Sequence, residues 1–195
     1  MNAPTSLSPL LAVGFFALVT PLLWYIVTRN RFVRLQNMMR ESWSNIDVLL
    51  KRRYDLIPNL VETVKGYAAH EQQVFEAVAK AREQAVADVG SVAHQAQTES
   101  ELVRALNQLL VRVEAYPELK ASVHYLALQN ELTNTEDRIA AARRFFNANV
   151  RDFNLLLESF PSAMVGSSMG LRPAEFFEIE ELHVRLAPSV APGPR

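Results

Sequence analysis

No cysteine occurs in the 195 residues, which excludes disulfides, thiolate metal sites and thiol nucleophiles and suits a reducing compartment. Histidine is sparse: His70, His94, His124 and His183 lie far apart, without the HExxH spacing that sets two ligands on one helical face. GxSxG, GxxxxGKS/T and GxGxxG are all missing, and with them the nucleophile-elbow, phosphate-loop and dinucleotide signatures. The acidic pairs Glu136 with Asp137 and Glu180 with Glu181 read as helix-surface charge. These absences point away from an enzyme and assign no cofactor and no metal site.

Charge is absent from Leu7 to Thr28, LSPLLAVGFFALVTPLLWYIVT. At about 1.5 Å per residue this run crosses a hydrocarbon core of roughly 30 Å, so it predicts a transmembrane helix. Membrane helices tolerate Gly14 and Pro21, and Trp24 and Tyr25 suit the headgroup layer at one end. The competing reading is a cleaved signal peptide. The run's length, the absence of Lys or Arg before it and the lack of a small-residue cleavage site before Arg29 favour an uncleaved single-pass signal anchor. Arg29, Arg31 and Arg34 follow at once, and the positive-inside bias then places the N-terminus outside and the bulk of the chain in the cytoplasm.

The near-neutral total hides an uneven distribution. Arg29 to Tyr54 carries seven Arg or Lys against two acids, and the chain from Asp55 onward thirteen against nineteen. Arg29, Arg31 and Arg34 are close enough to the membrane to meet anionic headgroups, each worth about 1 kcal/mol within a Debye length. Lys51, Arg52 and Arg53 would stand some 30 Å away along a helix, where a solvated face or pairing with acids such as Asp55 is the plainer reading.

Beyond the anchor the pattern is helical throughout. Met39, Trp43, Ile46, Leu50 and Ile57 recur at helical spacing. Pro58 should end that helix, since an internal proline costs about 3 kcal/mol but is at home in a first turn; Tyr54, Asp55 and Pro58 thus form a helix-break motif, with Asp55 as the cap. A second helix, about 58–88, has a coiled-coil-like seam from Leu60 to Ala85 in which Glu71 is the polar exception, a register or pairing residue. Residues 90–98 read as a loop capped by Thr98. A third helix carries Leu102, Leu106, Leu109 and Val113 up to a corner at Tyr116 and Pro117.

The fourth helix, about 117–160, has a seven-residue repeat of Leu132, Ile139, Phe146, Phe153 and Phe160, flanked by Thr135 and Ala142. Such a seam packs along another long helix, within the chain or between chains. Arg143, Asn147, Arg151 and Asn154 share one side of it, either as a ligand or intersubunit surface or as bonds to neighbouring helices. With few aromatics among them and no net basic charge in this half, nucleic-acid binding has little support. Gly166 and Gly170 with Ser167 and Ser168 read as a flexible connection, PAEFFEIEE as a short docking helix and APSVAPGPR as a disordered tail.

RRYDLIPNLVETVKGYAAHE (52–71) resembles the signature of the LemA family, bacterial membrane proteins with a helical soluble part. The resemblance extends to AYPELKA (115–121), LQNELTNTEDRIAAARRFFN (128–147), SFPS (159–162) and FFEIEE (176–181), whereas the proline-rich ending departs from the family pattern. The resemblance implies an architecture but no particular reaction, and locates the protein in the bacterial inner membrane. The fold class expected is all-α: an anchor over 1–28, a cytoplasmic bundle of about four long antiparallel helices over 29–160 with breaks near 55–58, 89–98 and 116–117, and a loop, docking helix and tail over 161–195. The function expected is a non-enzymatic scaffold that self-associates at the bilayer as a homo-oligomer. The alternative, which the resemblance suggests, is an adaptor or regulator of a membrane peptidase.

Overall fold

The structure is a computed structural model that describes residues 7–68, 70–179 and 182, with side chains from Ala12 onward. Among these residues the chain is all-helical: α1 (Leu7–Lys65), α2 (Gln72–Ala87), α3 (Val92–Val113), α4 (Pro117–Lys120), α5 (Val123–Glu158) and α6 (Ser162–Ser168). They form two compact units. Residues 1–41 with 148–174 make one, and 42–147 with 175–195 the other, so that α1 and α5 contribute to both.

In the first unit Phe32, Leu35, Phe153, Leu156 and Val165 form the core. Phe32 and Phe153 meet edge to face, centroids 5.9 Å apart, and Asn149 Nδ2 donates to the Met38 carbonyl at 3.5 Å. The expected flexible connection is instead α6. Gly166 sits inside it because a Cβ there would press against Leu157 and Phe32. Gly170 ends it at φ 64°, with Leu171 N bonded to Gly166 O and Gly170 N to Ser167 O; this paired capping uses the left-handed region that favours glycine. The Asn154 side chain then donates to Ala174 O at 2.9 Å and accepts from Ala174 N at 2.8 Å.

In the second unit Ile46, Leu50, Ile57, Leu60 and Val64 bury one stripe of α1, while Leu132, Ile139 and Phe146 bury the seam of α5. The helix break expected at Pro58 is absent: α1 runs on to Lys65, and the corner lies at 66–71. A proline withdraws the N–H that would bond the carbonyl four residues back, here that of Tyr54. Arg82 Nε of α2 supplies a donor to that oxygen at 2.7 Å. Pro58 and Asp55 are exposed, and Asp55 lies inside the continuous α1, so it caps no helix.

Glu71, the polar exception of the expected seam, stands just before α2 and pairs with Arg112 Nε of α3 at 3.5 Å. The loop expected over 90–98 is mostly helix, since Ser91 rather than Thr98 caps α3, accepting from His94 N at 3.3 Å. Alanine and glutamine in GSVAHQAQT are good helix formers, and small polar composition alone misreads them as loop. Thr98 instead donates to Asp88 Oδ2 at 2.8 Å. The corner at Tyr116 and Pro117 is present, with Pro117 opening the single-turn α4.

The repeat of α5 is buried within the chain at Leu132, Ile139, Phe146 and Phe153, but α5 stops at Glu158 and leaves Phe160 84% exposed. PAEFFEIEE is not helical over its described residues, 173–179. Asn147 donates to Phe177 O at 3.0 Å and accepts from Phe177 N at 2.9 Å, and Arg143 donates to Ile179 O at 2.5 Å. A side-chain amide that pairs with both groups of one residue holds an extended strap, as a neighbouring strand would. Phe177 is buried edge to face on Trp43, at 5.1 Å. The tail beyond Ala187 lies outside the described residues.

Arg82→Met should lower stability by about 1.5–3 kcal/mol, the range for a hydrogen bond with a charged partner. In a Pro58→Ala background the new N–H reaches Tyr54 O, so the same substitution should cost much less. Thermal unfolding in mild detergent of the four proteins of this cycle checks it; equal costs in both backgrounds would contradict the capping role.

Candidate functional site

From Ala12 to Val27 the side chains of α1 are exposed almost without interruption, among them Val13, Phe15, Phe16, Leu18, Leu22 and Leu23. This is far more contiguous apolar surface than a water-soluble domain leaves open. The helix is long and apolar enough to cross a membrane. Trp24 and Tyr25 close the run, and Arg29, Arg31 and Arg34 are exposed just beyond it, at most about 9 Å past Thr28 at the helical rise.

The second unit holds a buried ionic cluster that charge counting missed. Arg53 is 0% exposed, so the solvated-face reading is corrected for it, although Lys51 and Arg52 are exposed and Arg52 pairs with Glu131 at 2.5 Å. Arg53 Nη1 donates to both carboxylate oxygens of Glu136 at 3.1 and 3.2 Å, and Nη2 donates to Glu99. Tyr54 donates its hydroxyl to the other oxygen of Glu99. Residues of α1, α3 and α5 are thereby tied at one point, while Arg53 Nε is buried without a hydrogen-bond partner.

Burial opposes the charge on Arg53, but Glu136 and Glu99 outweigh it and raise its pKa. Burial drives the Glu99 pKa up against the pull of Arg53 and Tyr54, and burial, then Glu99, raises that of Tyr54. One cation facing two carboxylates has net charge −1, which agrees with the reluctance of Glu99 to ionise. Taking ions out of water is expensive, so such a cluster fixes register more than it adds stability.

The cluster was partly legible. Arg53 falls between Leu50 and Ile57 on the α1 stripe, and Glu99 three residues before Leu102 on that of α3. Opposite charges on two apolar stripes are the signal that a pairwise reading of the seams would have found.

The residues singled out in the sequence are placed apart from one another. Tyr54, Asp55 and Pro58 are not brought together as a capped corner. His70, His94 and His124 are exposed, His183 lies outside the described residues, and among those described no group of three His, Asp or Glu is placed to hold a metal. An open pocket of about 400 Å³ has Lys65, Gln72, Phe75, Glu76 and Ala79 on its walls. It offers a cation over an aromatic ring, Lys65 Nζ lying 5.5 Å from the Phe75 centroid, but no nucleophile paired with a base.

The model of the LemA family matches residues 42–191. The chain belongs to the LemA family. Protein LemA of Metamycoplasma hominis is 25% identical over 182 residues, covering 92% of this chain and 83% of that protein. Magnetosome protein MamQ of Magnetospirillum gryphiswaldense is 25% identical over 193 residues, 86% of this chain and 71% of the relative. MamQ 1 of Paramagnetospirillum magneticum is 24% identical over 194 residues, with 87% and 71% covered.

Arg53→Met strands Glu99 in the interior and should cost about 3–5 kcal/mol at neutral pH. A raised carboxylate pKa means stability that is present at acid pH and lost as pH rises through the raised value. The deficit should therefore shrink as pH falls from neutral toward the ordinary glutamate range. Thermal unfolding across that range checks the sign; a deficit that deepens on acidification would contradict it.

Proposed function

We propose that this LemA-family protein is a non-enzymatic, membrane-anchored helical scaffold at the cytoplasmic face of the bacterial inner membrane, where it self-associates and shapes or stabilises the bilayer. The observation that carries the reading is the unbroken α1, in which the exposed apolar run and the residues that bury in the bundle belong to one helix. A hinge would let the anchor move independently; a continuous helix passes on its orientation. Arg29, Arg31 and Arg34 give the collar an affinity for anionic lipid, and supply the positive-inside argument for a cytoplasmic bulk.

Because Leu132, Ile139, Phe146 and Phe153 are buried within one chain, self-association is assigned to surfaces left open, with the anchor itself facing lipid. In the full-length protein solubilised in mild detergent, light scattering should give a mass of several chains, and negative-stain images a uniform particle. A monomer would overturn self-association, and a monomer that retains a bound membrane peptidase would move the assignment to the adaptor alternative.

A further inference from the structure

We propose that the turn from α5 into α6, with Phe160 and Met164 at its tip, inserts into the headgroup and upper acyl layer of the bilayer that the apolar part of α1 spans. The inference rests on the anchor reading and adds a second, non-spanning membrane contact to it. Three contacts fix the register. Asn149 reaches the Met38 carbonyl, Phe153 packs on Phe32, and beyond α5 the Tyr25 hydroxyl lies 3.4 Å from Ser168 Oγ. In this unit α5 therefore runs antiparallel to α1, and each step forward along α5 goes back toward the anchor. From Phe153 to its end at Glu158 the helix advances about 7.5 Å at the helical rise, which brings the turn to the level of Ile26 to Thr28. The contact of Tyr25 with Ser168 places the end of α6 at that level independently.

At this level the turn is two-sided. Ser162, Val165 and Gly166 are buried, whereas Phe160 is 84% and Met164 66% exposed. At the level of Val27, whose side chain is also exposed, these apolar side chains continue the surface already assigned to lipid. That continuity commits the patch to the bilayer rather than to a soluble partner. A ring and a thioether beside the Trp24 and Tyr25 belt are placed as interfacial anchors are, apolar groups entering just below the headgroups. Arg29, Arg31 and Arg34, exposed next to this level, favour anionic lipid around it. The turn would fix the rotation and tilt of α1, which a lone spanning helix leaves free.

The absence of native cysteine makes the test direct. Phe160→Cys and Met164→Cys, with Leu18→Cys as the buried-in-lipid reference and Asn37→Cys as the aqueous one, are labelled with an environment-sensitive fluorophore in the full-length protein. The proteins are reconstituted in phosphatidylcholine and phosphatidylglycerol vesicles containing lipid brominated near the top of the acyl chain for the turn positions and Asn37, and near its end for Leu18. The expected result is blue-shifted emission and loss of signal to bromine at both turn positions, with Asn37 unquenched. Quenching at Leu18 but not at the turn would overturn the inference while leaving the anchor standing. No quenching at Leu18 would overturn the anchor reading and this inference together. Turn labels shielded from bromine and from aqueous iodide alike would show a protein contact, a second copy or another chain, and would equally overturn it.

Discussion

The second unit depends on a single charged side chain taken out of water. Arg53 is fully buried, and it is tolerable there because Glu99 and Glu136 meet it from two other helices. An apolar side chain of similar volume could fill the space, but it would accept many registers of α1 against α3 and α5. An ion cluster accepts one, since a slip of a single turn, about 5.4 Å, strands a charge. Tyr54 completes the satisfaction of Glu99 through its hydroxyl, and its backbone oxygen receives Arg82. The residues that fix the register thus adjoin the contact that lets α1 pass Pro58.

How far the sequence shows this can be argued residue by residue. The apolar N-terminal helix, the corner at Pro117 and the buried repeat from Leu132 to Phe153 follow from periodicity and local backbone rules, and those rules describe them well. Pro58 does not, because the donor that replaces its N–H comes from Arg82 on another helix and no local rule contains it. The loop expected over 90–98 failed for a smaller reason, the choice of Thr98 over Ser91 as cap. Phe160 obeys the seven-residue repeat in number only, since α5 ends two residues before it. The strap is opaque for a further reason: its extended form is imposed by the amides of Asn147 and Asn154, whose polar face on α5 reads equally well as solvated.

What the described residues offer most plainly is surface. Under the proposed reading the apolar helix face, the collar of three arginines and the apolar turn would act on a lipid surface by partition and charge. Their effect depends on how firmly orientation is transmitted along α1. That makes the integrity of this helix at Pro58 the physical condition for a scaffold, because a hinge there would uncouple the anchor from residues 59–65 and everything they pack against.

Whether α1 runs unbroken through Pro58 is measured most directly by pulsed electron resonance between spin labels at Ser44 and Glu62. Both positions are exposed, and both lie within the second unit. Eighteen residues of continuous helix separate the two backbones by about 27 Å at the helical rise. A single narrow distribution near that separation is the result predicted for the full-length protein in vesicles. A distance shorter by more than one helical turn, or a broad spread, would show that the proline bends or breaks the helix and would contradict the account.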